Sequence, residues 1–274
     1  VENAIRVLMA TGGSTNLIIH LIAIARRANI DLTLDDFERI SKETPVLVNV
    51  KPHGTENVGM GFHNAGGVAS LMKEMEHMLN GECLTVSGKT VSENLKEIDM
   101  PYDKNTIRPL DNPIEEKGGI AVLYGNLAPN GAVIKRSAAS TRLLKHRGPA
   151  KVFENLTECQ KYLLDENSDI TPDTVIVLRG YGPKGAPGMP ENGNFMPLPP
   201  KLNKMGINDF VRITGARMSG GCFGTQVLHV APESAVGGPL AAVRDGDIIH
   251  LDVDNNLIEL EVSDSKITER LKSF

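Results

Sequence analysis

The spacing of apolar and polar positions divides the chain into a helical first third and a strand-rich remainder. Leu17-Ile-Ile-His-Leu-Ile-Ala-Ile-Ala25 is apolar on nearly every side, which predicts a buried helix with His20 as a hydrogen-bonded core residue. Ahead of it, Gly12-Gly-Ser-Thr-Asn16 offers Ser14 or Thr15 as a cap, and an anion held at the helix N-terminus is the alternative use of that turn. Thr33-Leu-Asp-Asp36 and Thr90-Val-Ser-Glu93 have the spacing of capping boxes and predict short helices ending near Ser41 and Glu97. Val68, Leu71, Met72, Met75 and Leu79 recur at helical spacing and predict a helix over Gly66–Leu79, with Glu74, Glu76 and His77 on a solvated face. Between these, Pro45-Val-Leu-Val-Asn-Val50 predicts a buried strand and Pro52 to Gly59 a loop.

The pattern changes after a polar stretch punctuated by Pro101, Pro109 and Pro113, where a domain boundary is placed. Strands are predicted at Gly119–Tyr124 and Gly131–Ile134, flanking a turn at Ala128-Pro-Asn130, and at Lys151–Phe153, Thr174–Leu178, Phe210–Ile213 and Gln226–Val230. A short helix is expected near Thr157–Leu164. Asp247–Val253 and Leu257–Val262 alternate with the period of a half-buried hairpin around Asp254-Asn-Asn256. Many short strands with few helices predict a closed or sandwich-like β domain. The expected fold class is α/β plus β: the tail of an α/β domain over residues 1–105, then a β domain over 106–274.

Composition narrows the partners. The 274 residues are 41% hydrophobic and 23% charged, as in a globular protein, and no apolar run is long enough to span a bilayer. A net charge of −5 and the lack of a basic patch argue against nucleic acid. Cys83, Cys159 and Cys222 are widely spaced and odd in number, which speaks against a disulfide framework or a CxxC metal site and suits a reducing cytoplasm. The chain opens on Val1-Glu-Asn, without an initiator Met or a signal-like basic flank, so a fragment of a longer chain is expected.

Two stretches carry candidate chemistry. Arg179-Gly-Tyr-Gly-Pro-Lys-Gly-Ala-Pro-Gly-Met-Pro-Glu191 follows a strand-like run and holds four glycines and three prolines before its carboxylate. Glycine permits close backbone approach and proline stiffens the path, so the loop is suited to presenting Glu191 at a fixed point. Ala216-Arg-Met-Ser-Gly-Gly-Cys222 follows a second such run and offers Ser219, so two strand ends present a carboxylate and a hydroxyl.

Six motifs then occur in one order: Gly12-Gly-Ser-Thr-Asn16, Gly118-Gly-Ile-Ala-Val-Leu-Tyr-Gly-Asn-Leu-Ala-Pro-Asn-Gly131, Gly182-Pro-Lys-Gly-Ala-Pro-Gly-Met-Pro-Glu191, Arg217-Met-Ser-Gly220, His229-Val-Ala-Pro-Glu233 and Gly237-Gly-Pro-Leu. Across its whole length the chain resembles the C-terminal half of the dihydroxy-acid dehydratase / phosphogluconate dehydratase family. The resemblance implies that the second domain is a swivelling β-barrel. It implies dehydration of 2,3-dihydroxy or sugar acids to 2-keto-3-deoxy acids, with an iron–sulfur cluster of the [2Fe-2S] type and Mg²⁺ as cofactors. It makes Glu191 a metal ligand and Ser219 the proton-abstracting base. The cluster cysteines of the family lie upstream of the Gly-Gly-Ser-Thr-Asn motif, so Cys83, Cys159 and Cys222 are expected to be structural thiols and this chain alone inactive.

The Gly-Tyr-Gly-Pro, Met-Pro-Glu-Asn-Gly-Asn and Ala-Arg-Met-Ser forms look most like arabinonate and xylonate dehydratases. Gly221 departs from that group, which usually carries Thr there, and Phe195 looks inserted. A cytoplasmic homodimer or higher homo-oligomer acting on a small-molecule acid is the implied setting. The competing readings are a branched-chain biosynthetic dihydroxy-acid dehydratase, a non-catalytic barrel module and a phosphate-binding domain using Gly12–Asn16.

Overall fold

The computed structural model describes residues 1–56, 59–101, 103–191 and 195–272. Three stretches of the sequence reading fall outside them: Asn57–Val58 of the loop after Pro52, Tyr102 at the expected boundary, and Asn192-Gly-Asn194 of the Met-Pro-Glu-Asn-Gly-Asn motif. The chain forms two units, Val1–Ile120 and Ala121–Phe274.

In the first unit, α1 (Glu2–Ala10), α2 (Asn16–Arg27), α3 (Leu34–Glu43), α4 (Met60–Asn64), α5 (Gly67–Glu74) and α6 (Val91–Leu95) are linked by loops and short 3-10 turns. Both capping boxes form: Asp36 Oδ2 accepts from the Thr33 amide at 3.0 Å, and Thr90 and Glu93 cap α6 reciprocally. Ser14 accepts from the Asn16 amide at 3.2 Å, whereas the Thr15 hydroxyl has no partner among the described residues.

Three expectations here are corrected. In α2 only Ile18 and Ala25 are buried, Leu17 and Ile24 are 42% and 61% exposed, and His20 is exposed rather than a core residue. The run at 45–50 is not a strand. Val46, Val48 and Val50 each make a single bridge, to Glu115, Ile107 and Glu56, so no one partner extends a ladder. The helix expected over 66–79 breaks at Met75 into α5 and a 3-10 turn at Glu76–Met78.

The second unit is a closed barrel of mixed strands in the order β1-β2-β6-β5-β4-β3-β7-β8. The strands are β1 (Ala121–Gly125), β2 (Ala128–Ile134), β3 (Lys145–Phe153), β4 (Val175–Leu178), β5 (Arg212–Thr214), β6 (Gln226–Leu228), β7 (Ile248–Asp252) and β8 (Leu257–Leu260). Ala128-Pro-Asn130 lies inside β2 rather than in a turn. Chain reversal takes place at Asn126–Leu127, where Asn126 both donates to and accepts from the Leu260 backbone.

The uninterrupted apolar run of β4 has a simple cause. Val175 and Val177 face the barrel core with Ile213, Val227 and Leu251, while Ile176 and Leu178 pack outward with Cys159, Leu163 and Leu202. Those partners come from α7 (Leu156–Leu164) and α8 (Pro200–Lys204), so both faces of the strand are covered. The hairpin of β7 and β8 forms in the expected antiparallel register, Ile249 opposite Leu260. A final helix, α9 (Asp264–Leu271), buries Ile267 against the same core.

Candidate active site

Strands β4 and β5 are parallel neighbours, with Leu178 opposite Thr214. The segments that follow them therefore leave the barrel at the same edge, and these are the two Gly-rich stretches that carry Glu191 and Ser219. The pairing resumes beyond the strand ends: Glu191 and Arg217 form an isolated parallel bridge. The Arg217 guanidinium donates to the Met189 carbonyl at 2.6 Å and to Glu191 Oε1 at 3.2 Å. Glu191 is thereby fixed beside the segment whose next residue but one is Ser219. The structure brings the two predicted residues onto adjacent segments.

Ser219 begins a tight turn in which the Cys222 amide donates to the Ser219 carbonyl at 3.1 Å. The Ser219 side chain is partly exposed, and among the described residues its hydroxyl makes no hydrogen bond. Cys222 is buried, and burial raises its thiol pKa, with Arg212 opposing and Glu191 reinforcing the shift. At Gly221 an added β-carbon would meet nothing within 4 Å, so the fold leaves open space there.

The carboxylate-bearing loop is braced from a distant part of the chain. Glu233 accepts from the Lys184 amide at 2.6 Å and from the Gly185 amide at 3.0 Å, and the Ser234 hydroxyl accepts from the Gly180 amide at 2.8 Å. A β-carbon at Gly182 would collide with the Glu233 carboxylate, which explains the glycine at that position. The return segment is held by a saturated carboxylate: Asp209 accepts from Ser140, Thr225 and Arg212, and Arg212 is buried over the Phe210 ring at 4.6 Å. Burial lowers the Arg212 pKa to about 10.

Two further groups close the site. His229 follows β6 with φ of 55°, a left-handed conformation uncommon for a non-glycine residue. Its Nε2 is buried and has no hydrogen-bond partner among the described residues. Burial, with repulsion from Arg217, lowers its pKa to about 4, so the imidazole is neutral at physiological pH. Lys135, directly after β2, is 2% exposed and donates to the Gly220 carbonyl at 2.8 Å. Sequence reading found Glu191 and Ser219 through glycine and proline punctuation. It did not single out Lys135, His229 or Glu233 as site residues, because each depends on contacts between distant parts of the chain.

The metals implied by the resemblance can be tested against these residues. Among the described residues no group of three His, Cys, Asp or Glu side chains could hold a metal ion. Cys83 is exposed, Cys159 and Cys222 are buried, and none of the three forms a disulfide. An iron–sulfur cluster therefore does not fit the donors of this chain alone. A divalent cation would find Glu191 as one hard oxygen donor and would need its remaining ligands from elsewhere.

Residues 1–94 match the dihydroxy-acid/6-phosphogluconate dehydratase N-terminal domain family, and residues 105–274 match its C-terminal counterpart. The chain is 50% identical over 273 residues to the L-arabonate dehydratase of Azospirillum brasilense, covering 98% of this chain and 46% of that protein. It is 48% identical to the L-arabinonate dehydratase of Rhizobium leguminosarum bv. trifolii, covering 100% and 47%. Against the dihydroxy-acid dehydratase of Prochlorococcus marinus (strain MIT 9515) identity is 44%, covering 98% and 48%. The chain thus spans about half the length of the curated relatives it matches. On these matches, and on the barrel that bears its motifs, the chain belongs to the dihydroxy-acid/6-phosphogluconate dehydratase family.

Proposed function

We propose that the chain forms part of a hydro-lyase that converts a sugar acid, or another 2,3-dihydroxy acid, into the 2-keto-3-deoxy acid. The observation that carries this reading is the bridge of Glu191 to Arg217, which sets a carboxylate beside the Ser219 turn. Higher identity to relatives named for arabonate and arabinonate than to those named for dihydroxy acids favours a sugar-acid substrate.

In this reading Ser219 takes the proton from C2 of the substrate while the C3 hydroxyl departs, and the resulting enol tautomerises to the keto acid. A hydroxyl is a weak base, so cationic surroundings must favour its alkoxide. Arg217 orients Glu191 through one hydrogen bond to its carboxylate and one to the Met189 carbonyl, and the Glu233 brace keeps the intervening loop in place. Neutral His229 offers a buried nitrogen to a substrate hydroxyl without adding charge. A divalent cation held with the help of Glu191 supplies, when bound, positive charge to the substrate carboxylate and C2 oxygen. The cluster and the other metal ligands come from outside these residues, and the chain by itself does not turn over substrate.

The same reading makes residues 1–105 part of an α/β domain, makes 106–274 the swivelling barrel domain, and places a homo-oligomeric enzyme in the cytoplasm. Turnover of a panel of sugar acids and branched dihydroxy acids by the anaerobically reconstituted protein carrying this chain tests the substrate class. Five-carbon aldonic acids should be preferred, and preference for branched dihydroxy acids would reject the sugar-acid reading.

A further inference from the structure

Next to the Ser219 turn lies a buried positive charge, the Lys135 ammonium. Lys135 leaves the end of β2 and its ammonium donates to the Gly220 carbonyl at 2.8 Å, the one hydrogen bond it makes among the described residues. No ion pair joins it to a described carboxylate. The 3-10 turn that follows, Arg136–Ala138, is tied to the same loop, since the Gly224 amide donates to the Ala138 carbonyl at 2.9 Å. An ammonium in such a place is costly compared with an apolar side chain of similar length. Burial accordingly lowers the Lys135 pKa to about 8. Its charged and titratable surroundings centre on the Cys222 thiol, which is itself faced by Arg212, Glu191 and Lys135.

We propose that Lys135 is a positioning residue for Ser219: its ammonium fixes the Ser219–Cys222 turn through the Gly220 carbonyl and stabilises the Ser219 alkoxide. The inference rests on the reading of Ser219 as the base. In the step it assists, the C2–H bond breaks and a Ser219 O–H bond forms. The C–H electron pair becomes the C2–C3 double bond of the enol, and the C3 hydroxyl leaves with its own bonding pair. The serine proton then passes to the departing hydroxide to give water, and the alkoxide is restored. A fixed cation in a water-poor interior favours the anion more strongly than the same charge in solvent.

The test uses the reconstituted protein carrying this chain, with sugar acid bearing hydrogen or deuterium at C2. K135Q keeps a donor for the Gly220 carbonyl and removes the charge, K135M removes both, and K135R keeps the charge. K135Q and K135M should lower kcat by about 10²-fold or more, as expected when support of a charged transition state is lost. KM should change little, and the isotope effect on kcat should rise because proton abstraction becomes more fully rate-limiting. K135R should recover a substantial part of kcat. Thermal unfolding of K135M at neutral pH should not fall below that of the unaltered protein. Unaltered kcat and isotope effect in K135Q would overturn the inference, as would losses that track lowered thermal stability with no change in isotope effect. If K135M does not fold, K135Q and K135R decide the matter by the same comparison. S219A distinguishes the two levels: full activity in S219A removes the base reading and this inference with it. An inactive S219A beside an unaffected K135Q overturns the inference alone.

Discussion

Glu191 and Arg217 face each other across a parallel bridge that continues the pairing of β4 with β5 past the strand ends, and an ion pair of 3.2 Å joins their side chains. The relationship explains how a Gly/Pro-rich loop delivers its carboxylate to a defined place. Both partners are partly exposed, at 28% for Arg217 and 38% for Glu191, so the pair contributes little to stability. Its value lies in position. R217M should therefore change the unfolding free energy by less than about 1 kcal/mol. It should nevertheless raise the Mg²⁺ concentration needed for half-maximal activity by about tenfold, the scale expected for losing a group that orients a metal ligand. Mg²⁺ titration of activity checks this, and E191Q should show the larger defect.

The brace from Glu233 acts locally, on the amides of Lys184 and Gly185. E233A leaves the Lys184 and Gly185 amides without their partner in a part-buried loop. The expected cost is roughly 1–3 kcal/mol of stability. Hydrogen exchange at Lys184 and Gly185 should accelerate well beyond exchange at β4, whose amides lie in the barrel ladder. Uniform acceleration across the barrel would contradict a local bracing role.

Burial of Lys135 makes stability depend on pH. Its pKa falls from the ordinary 10.5 to about 8 on folding, chiefly through burial. Between these values the unfolded chain binds a proton that the folded chain does not, so stability rises as pH increases through about 8 towards 10.5. The full effect is on the order of 3 kcal/mol, from roughly 1.4 kcal/mol per pH unit. K135M should lose this contribution and be the more stable protein at pH 7. Denaturant unfolding from pH 7 to 10.5 measures both curves, and parallel curves would contradict an unpaired buried ammonium.

Gly221 and Gly182 should respond in opposite ways to a methyl group. Nothing lies within 4 Å of a β-carbon at 221, and its φ is not in the left-handed region, so G221A should alter stability by no more than about 0.5 kcal/mol. Because it sits in the Ser219 turn, G221A should shift the ratio of kcat/KM between sugar acids of different length. G182A drives a methyl into the Glu233 carboxylate and should lower both stability and turnover. Thermal melts and paired substrate assays on the two variants distinguish the positions.

Much of the barrel was legible in the sequence because each strand carries its own signal. The apolar run of β4 and the alternation of β7 and β8 are local patterns, and the structure shows the cover that each implies. The segment at 45–50 has the composition of a strand without a ladder to join, since its valines bridge singly to three different places in the chain. In α2, hydrophobicity on all sides suggested burial. Only Ile18 and Ala25 are covered, and the described structure gives no reason for the apolar character of Leu17 and Ile24. Glu191 and Ser219 stood out because glycines and prolines mark their loops. Glu233 reaches amides 48 and 49 residues away, and Lys135 reaches a carbonyl 85 residues away, distances along the chain that no local pattern encodes. The left-handed backbone at His229 carries no glycine to mark it in the sequence.

In the proposed reaction Ser219 abstracts the C2 proton on a scaffold that Glu191 shares. The most direct measurement is single-turnover dehydration of a C2-deuterated five-carbon aldonic acid by the reconstituted protein carrying this chain, unaltered and as S219A. A primary isotope effect is expected in the unaltered protein and, for S219A, a rate lower by about 10³-fold with substrate binding retained, the scale of losing a general base. Turnover by S219A at the unaltered rate, with the same isotope effect, would contradict it.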